Sequence, residues 1–248
     1  MSPQIITCVG DLINKIKSLN YRDNDLLWYR GHSVENWELI PSVQRGNYKK
    51  AEQRLLNEFL MKSSISMKNH PDGDEYVPGW MTLMQHYGLP TRLLDWSASP
   101  LIALFFATND YKKYENEDGC IWILRPEKLN KLEGFNSNIY PMDKDCVRDM
   151  LRPAFHGHQV NKSVTDKIIA CCPVEYDMRV YTQQSAFTVH NTVKKIEEIA
   201  NKYLLSKLII PRNYKENILC ELKILGISLS NIYPDVEHIA QELRFFYE

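Results

Sequence analysis

The chain has 248 residues, 44% hydrophobic and 25% charged, a composition typical of globular proteins with a sizeable core. Its formal net charge of −1 provides no basic field for a polyanion, which disfavours bulk nucleic-acid binding. The N-terminus lacks the apolar core of a signal peptide, and the longest apolar run, Leu101–Ala107, is too short to cross a bilayer. We therefore expect a cytoplasmic protein that is neither secreted nor membrane-spanning.

Six cysteines are scattered through apolar stretches, without a C-x-x-C pair or the spacing of metal ligands. This pattern predicts six free thiols and no disulfide. His156 and His158 flank a glycine, but two histidines without a third ligand do not make a metal site. We expect no bound metal.

Apolar periodicity predicts the elements of the first half of the chain. Helices are expected over 9–19, 51–67 and 99–110, with a shorter helical piece over 80–87. Short apolar runs predict strands over 25–30, ended by Gly31, and over 120–124.

The second half mixes strands and helices. Residues 126–165 are polar and contain several prolines, and we interpret them as an irregular insertion or lid over the site. Strands are expected over 178–183, 186–190 and 205–210, and helices over 193–203, over 214–225 and after Pro234. The whole pattern predicts a single α+β domain over 1–248, with a mixed, mainly antiparallel sheet flanked by helices.

A first candidate site is the run Trp28-Tyr29-Arg30-Gly31-His32. An arginine at the end of a buried strand is a fixed, permanently charged fork that suits phosphate or carboxylate. Gly31 would let a ligand approach the backbone closely. In the structural alternative, Arg30 pairs with a nearby carboxylate and Gly31 merely turns the chain.

A second candidate site is the thirteen-residue run Gln85–Ser97, which lies between two predicted helices. It has more polar groups than a core segment can satisfy and more aromatic side chains than a solvated loop needs. The run includes Gln85, His86, Tyr87, Thr91, Arg92, Asp95, Trp96 and Ser97. The structural alternative is an interlocked network in which Arg92 bonds Asp95.

These two runs together resemble the FRG domain family, which is named for its aromatic-Arg-Gly core. The resemblance is carried by W-Y-R-G-H, by Q-H-Y-G-L-P-T-R-L-L-D-W, and by the S-P-L-I-A-L-F-F-A that follows. Later pieces also match the closing pattern of the family: Arg179, Gln183, Phe187-Thr188-x-His190, Ile210-Pro211 and Ile232–Asp235. The sequence departs from the family pattern at Ser97, Ser99 and Ser185.

A more distant similarity connects the same residues with ADP-ribosyltransferases and implies an ADP-ribosyltransferase-like fold. Tyr29-Arg30-Gly31 is similar to the first strand motif of those enzymes, and Trp96-Ser97 with the following A-x-x-F is similar to the second. The similarity implies NAD as substrate. Arg30 would hold its phosphates or ribose, Gly31 its nicotinamide amide, and Ser97 would orient Arg30 or the ribose. Tyr87 or Trp96 would stack on the nicotinamide ring.

The third motif of those enzymes carries a catalytic glutamate, but this chain offers Gln183 or Gln184. A neutral amide can hydrogen-bond a ribose hydroxyl but cannot stabilise a developing positive charge. Either Asp95 or Glu175 would supply the missing charge, or the site would bind a nucleotide without efficient transfer.

Three functions follow as hypotheses. The first is an ADP-ribosyltransferase-like enzyme that uses NAD, such as a bacterial toxin or anti-phage effector with a protein or nucleic-acid acceptor. The second is a non-catalytic module that senses a nucleotide or a nucleic acid. The third is a hydrolase or nuclease that uses His86 and Asp95 for acid–base chemistry. The candidate catalytic residues are Arg30, His86, Asp95, Ser97 and Gln183. The candidate ligand-binding residues are Tyr29, Gly31, His32, Gln85, Tyr87, Thr91, Arg92, Trp96 and Gln184.

Overall fold

The structure is a computed structural model that describes residues 4–19, 25–66, 76–156, 162–174 and 178–247. Its central feature is one sheet, in the order β4-β5-β6-β2-β1-β3-β7. The strands are β1 (Trp28–His32), β2 (Leu93–Ser97), β3 (Gly119–Leu124), β4 (Tyr140–Pro141), β5 (Ile168–Cys172), β6 (Ser185–His190) and β7 (Leu205–Ile210). The short β4 runs parallel to β5, and every other neighbouring pair is antiparallel.

Helices flank this sheet, which confirms the predicted α+β class. They are α1 (Val9–Ser18), α2 (Tyr48–Ser66), α3 (Val77–His86), α4 (Pro100–Thr108), α5 (Pro126–Leu132), α6 (Asp145–His156), α7 (Met178–Thr182), α8 (Ile196–Ile199), α9 (Lys215–Ile224), α10 (Leu229–Ile232) and α11 (Val236–Tyr247). Pro100 begins α4, where a proline suits the first turn because its missing N–H would have no partner there. The extent of the domain over 1–248 stays a prediction.

Within 126–165, the predicted irregular structure is wrong, whereas the interpretation of the segment as an insertion stays a prediction. The segment contains α5, β4 and α6, and many of its described apolar side chains belong to the core. Val147, Met150, Leu151 and Ala154 are fully buried at helical spacing on one face of α6. Charged residues lie between these apolar ones in the sequence, and Pro153 lies inside the helix. For these reasons the helical periodicity was not recognised from the sequence.

Two further predictions in the second half of the chain are wrong, and one strand there was not predicted. Residues 178–183, predicted as a strand, form the short helix α7, because only Val180 of this helix turns into the core. The predicted helix over 193–203 is only the single turn of α8. Strand β5, a continuous apolar run buried on both sides, was not predicted at all.

The two faces of the sheet carry different layers. One face packs against two helical clusters, one built on α1, α4 and α9 and the other on α2, α3 and α6. The opposite face carries Trp28, Leu94 and Trp96 in a third cluster. Between the two helical clusters, β1 and β2 are joined by the single register pair Tyr29–Ser97. The strands therefore part beyond this pair, and the gap opens on the helical side of the sheet.

Gly31 lies inside β1 rather than ending it, and a helix occupies the space beside it. A Cβ built on Gly31 would lie 1.8 Å from the carbonyl oxygen of Ala103 and 2.7 Å from the amide nitrogen of Ala107, both in α4. The expectation that Gly31 merely turns the chain is therefore wrong. The close approach that it permits is that of α4, not only of a ligand.

We predict that Gly31→Ala destabilises the fold by about 1–3 kcal/mol or more, because the new methyl group must displace the backbone of α4. Chemical denaturation with urea measures this change. Gly10→Ala is the matched control: its Cβ would meet only Cys8 Sγ, at 3.6 Å. Since Gly10 is in α1, this control should gain about 0.5–1 kcal/mol. Equal stability of Gly31→Ala and wild type would show that α4 does not pack as described.

Candidate functional site

A cavity of about 320 Å³ opens where β1 and β2 part, within the range of about 300–1,000 Å³ that small-molecule sites occupy. Its walls come from β1, β2, the start of β6, and helices α3, α4 and α7. Nine of the predicted site residues line it: Tyr29, Arg30, Gly31, Gln85, His86, Asp95, Trp96, Ser97 and Gln183. The two sequence motifs therefore form one site.

Arg30 is held on two sides. Its Nη1 donates a 2.5 Å hydrogen bond to the carbonyl oxygen of Asp95, and its Nε donates to His32 Nε2 at 3.1 Å. The side chain is 20% exposed, and Nη1 lies 3.7 Å from Asp95 Oδ2. The guanidinium thus bridges the gap between β1 and β2 and keeps one edge toward the cavity.

Asp95 is placed by a chain of hydrogen bonds that begins at the end of α3. Thr91 Oγ1 donates to Gln85 Oε1, and Gln85 Nε2 donates to Asp95 Oδ2 at 2.7 Å. Among the described residues, Asp95 Oδ1 has no hydrogen-bond donor, and the side chain is 51% exposed. Gln85 therefore holds one carboxylate oxygen of Asp95, and the residue lines the cavity.

Ser97 connects the second motif with the third. Its Oγ donates to the carbonyl oxygen of Gln183 at 2.7 Å and accepts from the backbone N–H of Ser99 at 3.0 Å. Gln183 directly follows α7, and its own Nε2 donates to the carbonyl oxygen of Ile232 at 3.4 Å. The hydroxyl proton of Ser97 is used to hold Gln183, and among the described residues no hydrogen bond joins Ser97 to Arg30; its role in orienting Arg30 or the ribose stays a prediction.

Arg92, a predicted ligand-binding residue, is buried away from the cavity. Its Nε and Nη2 donate to the two carboxylate oxygens of Glu52 at 2.8 and 2.6 Å, and its Nη1 donates to the carbonyl oxygen of Met150. The alternative pairing of Arg92 with Asp95 is also wrong, since Glu52 is the partner. Arg92 is a structural residue that ties α2 to the start of β2.

Four other predicted ligand-binding residues lie outside the cavity lining. Thr91 is buried and acts through Gln85, and His32 is buried behind Arg30. Tyr87 is 60% exposed, with its ring edge toward that of His86. Gln184 has a positive φ of 46° at the turn into β6. The Tyr87 ring is therefore not part of the cavity wall, and the stacking predicted for it stays a prediction.

Two buried histidines lie on the far face of the sheet. Burial, with Arg30 nearby, lowers the pKa of His32 to about 2 and that of His190 to about 3. His190 Nε2 bonds Thr188 Oγ1, which in turn accepts from Trp96 Nε1. Neutral His32 can accept the Nε proton of Arg30, so the histidine positions this arginine.

These histidines predict a loss of stability in acid. Below pH 6.5, the ordinary pKa, the unfolded chain protonates both rings while the native state keeps them neutral. Stability should fall by about 1.4 kcal/mol per histidine for each pH unit below 6.5, until the pH nears the native pKa values. Urea denaturation at pH 7, 6 and 5 measures this slope. His32→Gln, which keeps an acceptor for Arg30, should halve this slope, because His190 remains; an unchanged slope would contradict the burial of His32.

Several further residues, none of them a predicted site residue, also line the cavity: Ser33, Trp37, Thr82, Ala103, Phe106, Asp110, Arg179, Val180, Ser185, Phe187 and Tyr233. Ala103 and Phe106 are the A and F of the A-x-x-F motif, so their spacing was already a signal. Arg179 and Tyr233 belong to the later pieces that match the FRG family pattern. Nothing in the sequence indicated that they line the same cavity as the two motifs.

The remaining predictions concern the lid, metal and compartment. No described residue of 126–165 lines the cavity, which gives the predicted lid no support. Within the described ranges, no group of three or more His, Cys, Asp or Glu could hold a metal ion. Glu175 and His158 lie outside those ranges. All six cysteines are free, as predicted. No helix in the described part of the chain could span a bilayer; the cytoplasmic location stays a prediction.

The comparisons with known proteins give a family for part of the chain. Residues 25–116 match the family model of the FRG domain. Over these residues the chain is similar to FRG domains. No curated protein and no solved structure matches the chain. The matched part contains β1, β2 and α4, and it therefore includes Arg30, Asp95 and Ser97 but ends before Arg179, Gln183 and Tyr233.

Proposed function

We propose that this protein is an ADP-ribosyltransferase-like enzyme that cleaves NAD in the cavity between β1 and β2. One observation carries the proposal: the residues that resemble the three transferase motifs line one cavity. Arg30 comes from β1, Ser97 from the end of β2 and Gln183 from the position that directly follows α7. Ala103 and Phe106 of the A-x-x-F helix line the same cavity.

In the proposed reaction, the bond between nicotinamide nitrogen and ribose C1′ breaks, and its electron pair leaves with nicotinamide. The ribose develops an oxocarbenium-like positive charge, which a nearby carboxylate stabilises. Asp95 lines the cavity and has one carboxylate oxygen held by Gln85, which supports this role. Water or an acceptor nucleophile then bonds C1′ and loses its proton. Loss of NAD, or modification of a protein or nucleic acid, would suit a bacterial toxin or anti-phage effector.

Release of nicotinamide from NAD by the purified protein tests the proposal. We expect turnover by wild type and a loss of it in Asp95→Asn. A wild-type protein that binds neither NAD nor ADP-ribose, and releases no nicotinamide, would overturn the proposed function.

A nucleotide-sensing module is the second candidate, and the amide at Gln183 favours it because no glutamate stands at the third motif. It predicts that NAD or another nucleotide binds without nicotinamide release. A hydrolase or nuclease using His86 and Asp95, which both line the cavity, predicts instead the turnover of substrates without nicotinamide.

A further inference from the structure

Arg179 is a second arginine in the cavity wall, and two contacts fix it. Its Nη1 donates a 2.8 Å hydrogen bond to the carbonyl oxygen of His86 at the end of α3. Its guanidinium carbon lies 4.6 Å from the ring centroid of Tyr233. A guanidinium at this distance is attracted to the face of the ring, and the contact sets the plane of the fork. Arg179 is therefore oriented before any ligand arrives.

The ring that carries Arg179 is itself held on both sides. The ring of His238 stacks on Tyr233 at 4.4 Å, and the ring of Phe106 meets it nearly edge-on at 6.2 Å. Burial raises the pKa of Tyr233, so the phenol is neutral and does not itself offset the charge of Arg179. The Tyr233 ring is a fixed platform for this cation.

The charges around the two cavity arginines differ. Arg30 has a carboxylate oxygen of Asp95 at 3.7 Å. Among the described residues, no carboxylate oxygen lies within 4.0 Å of the guanidinium nitrogens of Arg179; Glu175 and Asp177 are outside that set. A half-buried guanidinium whose partners in the described residues are the His86 carbonyl and the Tyr233 side chain retains donors that suit an anionic ligand.

We propose that Arg179, on its Tyr233 platform, is a second anion-binding group of the cavity, and that its ligand is a diphosphate ester. A diphosphate offers non-bridging oxygens on two phosphorus atoms, which two planar forks, Arg30 and Arg179, can bind from different walls. The inference rests on the proposed function only in that NAD contains such a diphosphate; anion binding by Arg179 does not require NAD cleavage.

Isothermal titration with inorganic pyrophosphate, inorganic phosphate, ADP-ribose and adenosine tests the inference. Wild type should bind pyrophosphate and ADP-ribose more tightly than phosphate or adenosine. Arg179→Gln should weaken pyrophosphate and ADP-ribose binding about 10- to 100-fold, the usual loss for a hydrogen bond to a charged group. Arg179→Lys should recover only part of this affinity, because it keeps the charge without the fork. The matched control is Arg212→Gln, since Arg212 is exposed, donates to a single carbonyl and lies outside the cavity lining.

The outcomes separate this inference from the proposed function. If Arg179→Gln lowers the melting temperature but leaves pyrophosphate and ADP-ribose affinities unchanged, Arg179 is structural and the inference is wrong. If wild type releases nicotinamide and Arg179→Gln has an unchanged KM for NAD, the inference fails while the function stands. If pyrophosphate binding depends on Arg179 but no nicotinamide is released, the inference stands and NAD cleavage fails.

Discussion

Replacing Arg30 by lysine should give a folded protein whose affinity for NAD or ADP-ribose is about 30- to 1000-fold weaker, the loss of a partly desolvated charged contact. The structure explains why lysine cannot substitute. The Nε and Nη1 of Arg30 donate to His32 and to the backbone of Asp95, which aims the remaining edge of the fork. An ammonium group keeps the charge but cannot satisfy both acceptors and present a planar pair of donors to a ligand.

The matched control for this prediction is the other motif arginine, Arg92. Its guanidinium is bidentate on Glu52, and both side chains are largely buried. Arg92→Gln leaves an unpaired buried carboxylate and should cost about 3–5 kcal/mol of folding free energy. At a temperature low enough for Arg92→Gln to stay folded, this variant should bind NAD or ADP-ribose with wild-type affinity, since Arg92 does not line the cavity.

The two measurements are a melting curve and a nucleotide titration on Arg30→Lys, Arg30→Ala and Arg92→Gln. A folded Arg30→Ala protein that binds NAD with wild-type affinity would remove Arg30 from the site. The Arg30 and Arg92 variants could instead both be less stable than wild type, while wild type itself binds no nucleotide. In that case the first motif, Trp28–His32, would be structural. We expect substitutions of Arg30 to lower the affinity for nucleotide and the substitution of Arg92 to lower the melting temperature.

This contrast shows where sequence reasoning reaches its limit. Arg30 and Arg92 both belong to runs that the sequence marks as candidate sites. Their roles depend on which carboxylate the fold brings to each guanidinium. Glu52 lies forty residues before Arg92, on α2, and nothing in local spacing identifies it as the partner. The apolar periodicities of α1, α4 and β7, by contrast, depend only on local sequence and were predicted to within two residues.

The cavity residues show the same division. Gln85, Asp95 and Ser97 could be predicted because polar groups crowded into a short apolar segment are unusual wherever the segment lies. Arg179 and Tyr233 are ordinary in their own segments and enter the site only because α7 and the chain after α10 meet at the gap between β1 and β2. The pairing of strands distant in sequence, β2 with β6, creates that meeting.

Replacing Asp95 by asparagine should lower the rate of nicotinamide release by about 10²–10³-fold, the typical loss when one preorganised electrostatic contact is removed from an active site. Asparagine keeps the size of the side chain and an oxygen that can accept from Gln85 Nε2, so the network should persist. What disappears is the negative charge toward the ribose. The affinity for NAD should change less than kcat, because the positive charge develops in the transition state and not in bound substrate.

Gln183→Glu is the complementary change, since it places a carboxylate at the third motif. In the Asp95→Asn background it should recover part of the lost rate, because the new charge lines the same cavity. Asp145→Asn is the control: Asp145 pairs with Arg148 on the surface, and such exposed pairs contribute little. Nicotinamide release that is unchanged in Asp95→Asn would remove Asp95 from the reaction. A gain in Gln183→Glu alone, from an inactive wild type, would instead identify the natural protein as a nucleotide sensor whose transferase-like cavity lacks only this charge.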